Sequence, residues 1–247
     1  MAQWVKGEIV DIIHWTETLF SVKIKADIAP FKAGQYTKIS LQQDDKRVAR
    51  AYSFVNPPQS ELLEILLVEV EGGQLTPPLH QLKVGEYVDI AHQATGFFTL
   101  DEIPPCNVLW MISTGTAIGP FLSMLDSEDV WQQADKVILI HGVRTNDDLC
   151  YREKLQQLAQ SRDNFVYQPL ITREPPEVGG LAGRVTDLIE NGVLLQHLGY
   201  EQFPEHSHFM LCGNPDMVKS CSAQLQQMGY QRHRRAKPGQ ITVEQYW

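Results

Sequence analysis

The chain has 247 residues, enough for one large domain or two ordinary ones that each bury a core. With 43% hydrophobic and 21% charged residues it reads as a folded globular protein, which excludes the disordered and fibrous classes. Its 21 Lys and Arg against 30 Asp and Glu give a net charge of −9, unsuited to general binding of nucleic acid or an anionic membrane.

Up to about residue 100 the sequence is written in short alternating runs. Phe20, Val22 and Ile24 alternate with polar residues, as do Thr37, Ile39 and Leu41; Leu63–Val70 and Tyr87–Ile90 are further extended runs. Turn clusters separate them, among them Ala33-Gly34, Asp44-Asp45, Asn56-Pro57-Pro58, Gly72-Gly73 and Val84-Gly85. This spacing predicts an antiparallel sandwich or small β-barrel. After Pro104-Pro105 the pattern changes. Apolar runs at Val108–Ile112, Val137–Ile140, Phe165–Ile171 and Phe209–Cys212 alternate with helical segments near Pro120–Trp131, Cys150–Ala159, Arg184–Leu195 and Pro215–Met228. Strand–helix alternation predicts a doubly wound α/β domain with a parallel sheet. The two domains are expected at 1–100 and 101–247.

The four cysteines, Cys106, Cys150, Cys212 and Cys221, show no zinc or iron–sulfur spacing, and His206 with His208 reads as a strand edge, so no metal is expected. Scattered thiols suit a reducing compartment, and Met1–Glu8 has no apolar signal core. The uncharged stretch Ile103–Leu125 is long enough to span a bilayer, but its prolines and glycines fit a strand, loop and helix better. A cytoplasmic, membrane-free protein is expected.

Three constellations carry chemistry. Gly115-Thr116-Ala117-Ile118-Gly119-Pro120 follows the strand Val108–Ser113 and opens a helix, where glycines admit a pyrophosphate to backbone N–H groups. Arg144, Arg173 and Arg184 stand at the ends of later strands, positions suited to a ribose 2′-phosphate. In Arg50-Ala51-Tyr52-Ser53, Arg50 and Tyr52 share a face and offer a cation and a flat ring. Apart from these, Arg232, His233, Arg234, Arg235 and Lys237 form a basic cluster that opposes the net charge.

With these motifs the chain resembles the ferredoxin–NADP reductase family, and within it the compact bacterial ferredoxin/flavodoxin reductases. The resemblance covers the whole chain and implies an FAD-binding antiparallel β-barrel followed by an NADP-binding α/β domain. Arg50-Ala51-Tyr52-Ser53 matches the family's R-x-Y-S motif, which implies Arg50 on the FAD phosphates, Tyr52 on the isoalloxazine and Ser53 near flavin N5. Leu66, Leu67, Val68 and Glu69 would line the flavin with backbone groups. Gln74, Leu75 and Thr76 would form a second phosphate loop, and Thr116 would also reach FAD. Gly115–Pro120 is similar to the G-T-G-x-x-P loop, with Ala117 in place of the middle glycine. For NADP the resemblance implies Gly115, Val143, Arg144, Thr172, Arg173, Arg184, Asn214, Pro215 and Asp216. Cys212-Gly213-Asn214-Pro215 resembles the C-G-x-P motif beside the nicotinamide. Glu244-Gln245-Tyr246-Trp247 resembles the E-x-Y terminus with one tryptophan added; Tyr246 would cover the flavin, and Trp247 would either cover the bent-back adenine or pack as core.

The implied activity is hydride transfer between nicotinamide C4 and flavin N5, with Ser53, Cys212, Glu244 and Tyr246 at the reacting end. FAD and NADP(H) are the implied cofactors. Ferredoxin or flavodoxin is the implied partner of a monomer, docked on a basic surface to which Arg232, Arg234, Arg235 and Lys237 are candidates. Two other readings stay open on the residues: an NAD(P)H-dependent free-flavin or oxygenase-component reductase, and a non-catalytic flavin-binding module.

Overall fold

Alternating side chains fold the first part of the chain into one antiparallel sheet. In the computed structural model, which describes residues 3–43, 46–177 and 179–246, its strands are β1 (Trp4–His14), β2 (Leu19–Lys25), β3 (Tyr36–Gln43), β4 (Lys46–Ser53), β5 (Leu63–Val68) and β6 (Tyr87–Ala91), with helix α1 (Thr76–His80) after β5. The order is β4-β3-β6-β1-β2-β5. An antiparallel bridge between Phe54 and Ile65 joins the chain just past β4 to β5, so the sheet curls toward a barrel. Ile9, Phe20, Ile24, Ile39, Ile65, Leu67 and Ile90 fill its concave side. Alternation alone predicts no strand before Phe20, yet β1 is a central strand. A register shift between Ile9 and Asp11 breaks its period of two, which is why its pattern is unclear in the sequence.

The contacts divide the chain into two units: one runs through Thr99 and takes in Gly119–Ser127, and the other holds Leu100–Ile118 and the chain from Glu128 onward. Helix α2 (Gly119–Leu125) is buried at every residue and packs within the first unit. There Phe121 meets Phe98 with ring centroids 5.5 Å apart, and Ser123 Oγ donates to the Asn56 carbonyl at 2.7 Å. The single helix expected over Pro120–Trp131 is two, α2 and α3 (Asp129–Gln133). Ser127 ends the first by donating both its N–H (3.0 Å) and its hydroxyl (2.7 Å) to the Met124 carbonyl.

In the second unit the strands are β7 (Cys106–Thr114), β8 (Ala134–Val143), β9 (Phe165–Ile171), β10 (Leu181–Ala182), β11 (Ser207–Gly213) and β12 (Ile241–Gln245). All pair in parallel, in the order β10-β9-β8-β7-β11-β12. The helices are α4 (Arg152–Ser161), α5 (Val185–Glu190), α6 (Val193–His197) and α7 (Pro215–Gln227). The expected helix Arg184–Leu195 breaks into α5 and α6 because Gly192 turns left-handed at φ +75°. Helix α4 begins at Arg152, two residues later than expected, because Tyr151 is also left-handed at φ 59°. Trp110, Ile112, Ile138, Ile140, Phe209 and Leu211 are buried in the continuous apolar strands that a sheet covered on both faces requires. Trp110 keeps its one polar atom satisfied by donating to Ser207 Oγ at 3.2 Å. Among the described residues no helix is long and apolar enough to cross a membrane.

Candidate active site

The strand order locates the site in the second unit. From β7 the chain winds outward through β8, β9 and β10, then returns to the other side of β7 to form β11 and β12. The carboxyl ends of β7 and β11 therefore flank a topological switch point, where open α/β sheets receive ligands. The loop after β7 begins at Gly115, with φ +55°. A Cβ added there would meet no atom within 4 Å, so the backbone faces open space that a phosphate can enter. The loop after β11 begins at Gly213, with φ +140°, where a Cβ would collide with the Thr114 side chain and lie 3.0 Å from its backbone N. Only glycine permits this approach. It lets the Asn214 N–H donate to Thr114 Oγ1 at 2.9 Å, tying the two loops together. Asn214 then caps α7 by accepting from Asp216 N at 2.9 Å and Met217 N at 3.3 Å, with Pro215 in the first turn.

The three arginines lie on the other side of the loop, where β8, β9 and β10 end in register. The Arg173 N–H donates to the Arg144 carbonyl at 2.9 Å, and Thr172 reaches the Val143 carbonyl with its N–H (3.1 Å) and hydroxyl (3.0 Å). Val143 is buried, so Val143 and Thr172 hold the edge on which Arg144 and Arg173 stand. Arg184 is the N-cap residue of α5. All three arginines are exposed, and among the described residues none forms a salt bridge. Three free guanidinium groups along one edge suit a phosphomonoester, which an arginine fork binds through two oxygens.

At the opposite end of this edge Cys212 pairs in register with Glu244 on β12. Cys212 is fully buried (0% exposed), and burial followed by the neighbouring Glu244 charge pushes its thiol well above the ordinary range. It therefore stays a protonated thiol enclosed by protein. Burial also raises Glu244 to about 7, and its Oε2 is buried without a hydrogen-bond partner. A carboxyl at that value holds or releases a proton near neutrality. The Tyr246 N–H donates to the Gly213 carbonyl at 3.1 Å, which extends the chain past β12 along the same loop. Trp247 lies outside the described residues.

In the first unit the sequence motifs meet on two edge strands. Apart from the Phe54–Ile65 bridge, β4 ladders with β3 and β5 with β2 among the described residues. From the Phe54–Ile65 bridge, β4 runs back through Ser53, Tyr52, Ala51 and Arg50 while β5 runs forward through Leu66, Leu67 and Val68 toward Glu69. No ladder joins these stretches among the described residues, so two unpaired backbone edges face a gap. Leu66 (5%) and Leu67 (1%) bury their side chains, leaving backbone groups as what they offer. Ser53 is buried, and its hydroxyl forms no hydrogen bond among the described residues. Tyr52 packs partly on the core, and its hydroxyl is raised to about 12 by burial. Arg50 is exposed, with only its own strand's Ala49 carbonyl as partner at 2.8 Å. Thr76 Oγ1 accepts from the Val70 N–H at 2.9 Å, closing the Gly72–Gly73 loop, while Leu75 buries its side chain and Gln74 offers its carbonyl to Gln43. A cation, a partly exposed ring, an unpaired hydroxyl and free edge amides fit a flavin nucleotide.

Two residues of the site escaped the motif reading. Thr114 is an ordinary strand-end threonine until the fold brings Asn214 to it. His141 is buried in β8 and bonds to Gly115 at 3.0 Å, which only the parallel register reveals. Arg234 and Lys237 form a tight turn ahead of the amino end of β12, with Lys237 seven residues before Glu244 in the chain, and Arg235 Nε donates to Glu102 at 2.8 Å. Among the described residues no group of three or more His, Cys, Asp or Glu is arranged for a metal.

An antiparallel unit with two open strand edges and a parallel unit with glycine loops at its switch point are the architecture of a two-domain flavin–nicotinamide oxidoreductase. Residues 10–97 match the family described as "Oxidoreductase FAD-binding domain", and residues 111–223 the one described as "Oxidoreductase NAD-binding domain". The chain is 42% identical to the flavodoxin/ferredoxin–NADP reductase of Escherichia coli (strain K12), each covered over its whole length. It is 34% identical to the ferredoxin–NADP reductase of Pseudomonas aeruginosa, over 99% of this chain and 98% of that one. Its fold matches the crystal structure of a ferredoxin NADP+ reductase from Neisseria gonorrhoeae with bound FAD and NADP, with a TM-score of 0.92, 32% identity and full coverage of both chains. The chain belongs to the flavodoxin/ferredoxin–NADP reductase family.

Proposed function

We propose that the chain binds FAD and NADP(H) and passes electrons between NADP(H) and a one-electron carrier, ferredoxin or flavodoxin, as a cytoplasmic monomer. The observation that carries the nicotinamide half is the carboxyl edge of the second sheet: tied glycine loops at its switch point and three free arginines beside them. Full-length kinship with reductases of ferredoxin and flavodoxin supports the carrier half.

Bound FAD supplies a centre that takes a hydride and gives up electrons singly. The protein's own share is placement. Arg50 and the Gln74–Thr76 loop hold phosphate, Tyr52 gives the ring a flat wall, and the edge amides of Leu66 to Glu69 hold its rim. Ser53 would offer its unpaired hydroxyl to the flavin atom that takes up hydride. Gly115, Asn214 and the first turn of α7 with Asp216 take the dinucleotide backbone, and Arg144, Arg173 and Arg184 take the 2′-phosphate. Glu244 holds a proton at Oε2, and Cys212 supports the adjoining backbone from beneath as a neutral packing group. Tyr246 would supply the aromatic group that shields a bound flavin.

The test is a spectral titration of the FAD-loaded protein with NADPH and with NADH, followed by addition of oxidised flavodoxin or ferredoxin. Rapid bleaching by NADPH, slow bleaching by NADH and reoxidation by the carrier are expected. Equal use of NADH with reoxidation by free flavin alone would favour a free-flavin reductase. A yellow protein that ignores both nucleotides would refute enzymatic function.

A further inference from the structure

The buried imidazole of β8 has no part in the motifs above, yet it touches the loop after β7. His141 is 0% exposed, and its register neighbours are Ser113 on β7 and Pro169 on β9. Its Nε2 lies 3.0 Å from the Gly115 carbonyl. A carbonyl only accepts, so Nε2 carries the proton and Nδ1 is bare. Nδ1 is buried without a partner, because the nearby Ser113 hydroxyl already donates to the Ile140 carbonyl at 3.2 Å. Burial lowers this histidine to about 4, opposed more weakly by the Gly115 bond and by Asp148, so the ring is neutral and the tautomer stays fixed. One polar ring is thus enclosed for a single hydrogen bond.

That bond fixes a peptide plane. The Gly115–Thr116 bond is trans, as no cis peptide occurs among the described residues, so its C=O and N–H point in opposite directions. We propose that His141 is a positioning residue for the dinucleotide: by holding the Gly115 carbonyl inward it turns the Thr116 N–H outward, where a phosphate oxygen is received. The open space beside the Gly115 Cα lies on this loop. The inference rests on NADP(H) occupying the carboxyl edge, and it adds the residue that orients the loop there.

The test compares His141→Gln, His141→Asn and His141→Leu in FAD-loaded protein, reading NADP+ binding by difference spectra together with FAD content and melting temperature. A glutamine amide reaches the Nε2 position, whereas an asparagine amide reaches only Nδ1. Gln should bind NADP+ within about twofold of wild type, and Asn and Leu should weaken it roughly three- to tenfold with FAD content unchanged. Leu binding like wild type would overturn the assignment, as would Gln, Asn and Leu losing affinity alike along with melting temperature. A wild type that binds no NADP+ would instead overturn the reading of the edge itself, and this inference with it.

Discussion

Glu244→Gln is the perturbation whose size the structure sets most directly. Burial raises Glu244 from 4.5 to about 7, and Oε2 has no hydrogen-bond partner. An acid raised in the folded state favours folding while protonated. Its contribution is therefore fully present below the unfolded value and is lost as pH climbs through the folded one. A shift of about 2.5 units at ~1.4 kcal/mol each corresponds to about 3 kcal/mol, an order-of-magnitude figure, lost across the window from about 4.5 to just above 7. Glutamine keeps the shape and cannot ionise. The difference in stability between the variant and wild type should therefore stay under ~1 kcal/mol near pH 5 and grow in the variant's favour to about 3 kcal/mol near pH 8. Melting of both proteins at saturating FAD across this range measures it, the informative quantity being the change of the difference with pH. Two parallel curves would show that Glu244 titrates normally and that its burial carries no cost.

Arg144→Ala removes one free guanidinium from the strand-end row; NADPH affinity should fall about ten- to a hundredfold while NADH affinity holds. Equal losses in steady-state assays with both nucleotides would refute the 2′-phosphate assignment. Gly213→Ala places a Cβ against Thr114, so the Asn214–Thr114 bond should break and NADP+ binding should fall at least tenfold with FAD retained; unchanged titration curves would show that the loop adapts. Ser53→Ala deletes a hydroxyl without a protein partner, so stability should change by less than ~0.5 kcal/mol while flavin reduction by NADPH slows at least tenfold in stopped flow. A large melting change with normal reduction would make Ser53 structural.

Sequence pattern alone determined the two kinds of sheet. The period of two before residue 100 and the strand–helix alternation after it are local consequences of which faces are buried. The phosphate-loop glycines and the R-x-Y-S strand could be picked out as candidates because each is a contiguous run, the second through its resemblance to a family motif, and Arg144, Arg173 and Arg184 because each follows an apolar strand or its closing turn. What depends on long-range register was not. The bulge at Ile9–Asp11 hid β1, and β10 and β12 are too short to announce themselves. Helices expected to be continuous break at Ser127 and Gly192, and α4 starts late because Tyr151 is left-handed. The Thr114–Asn214 and His141–Gly115 contacts join residues 100 and 26 apart. Most decisive is Glu244: a carboxylate in a polar-looking tail becomes a buried acid titrating near neutrality only because β12 lays it beside Cys212. Desolvation is set by what surrounds a group in space, and a linear sequence does not contain that.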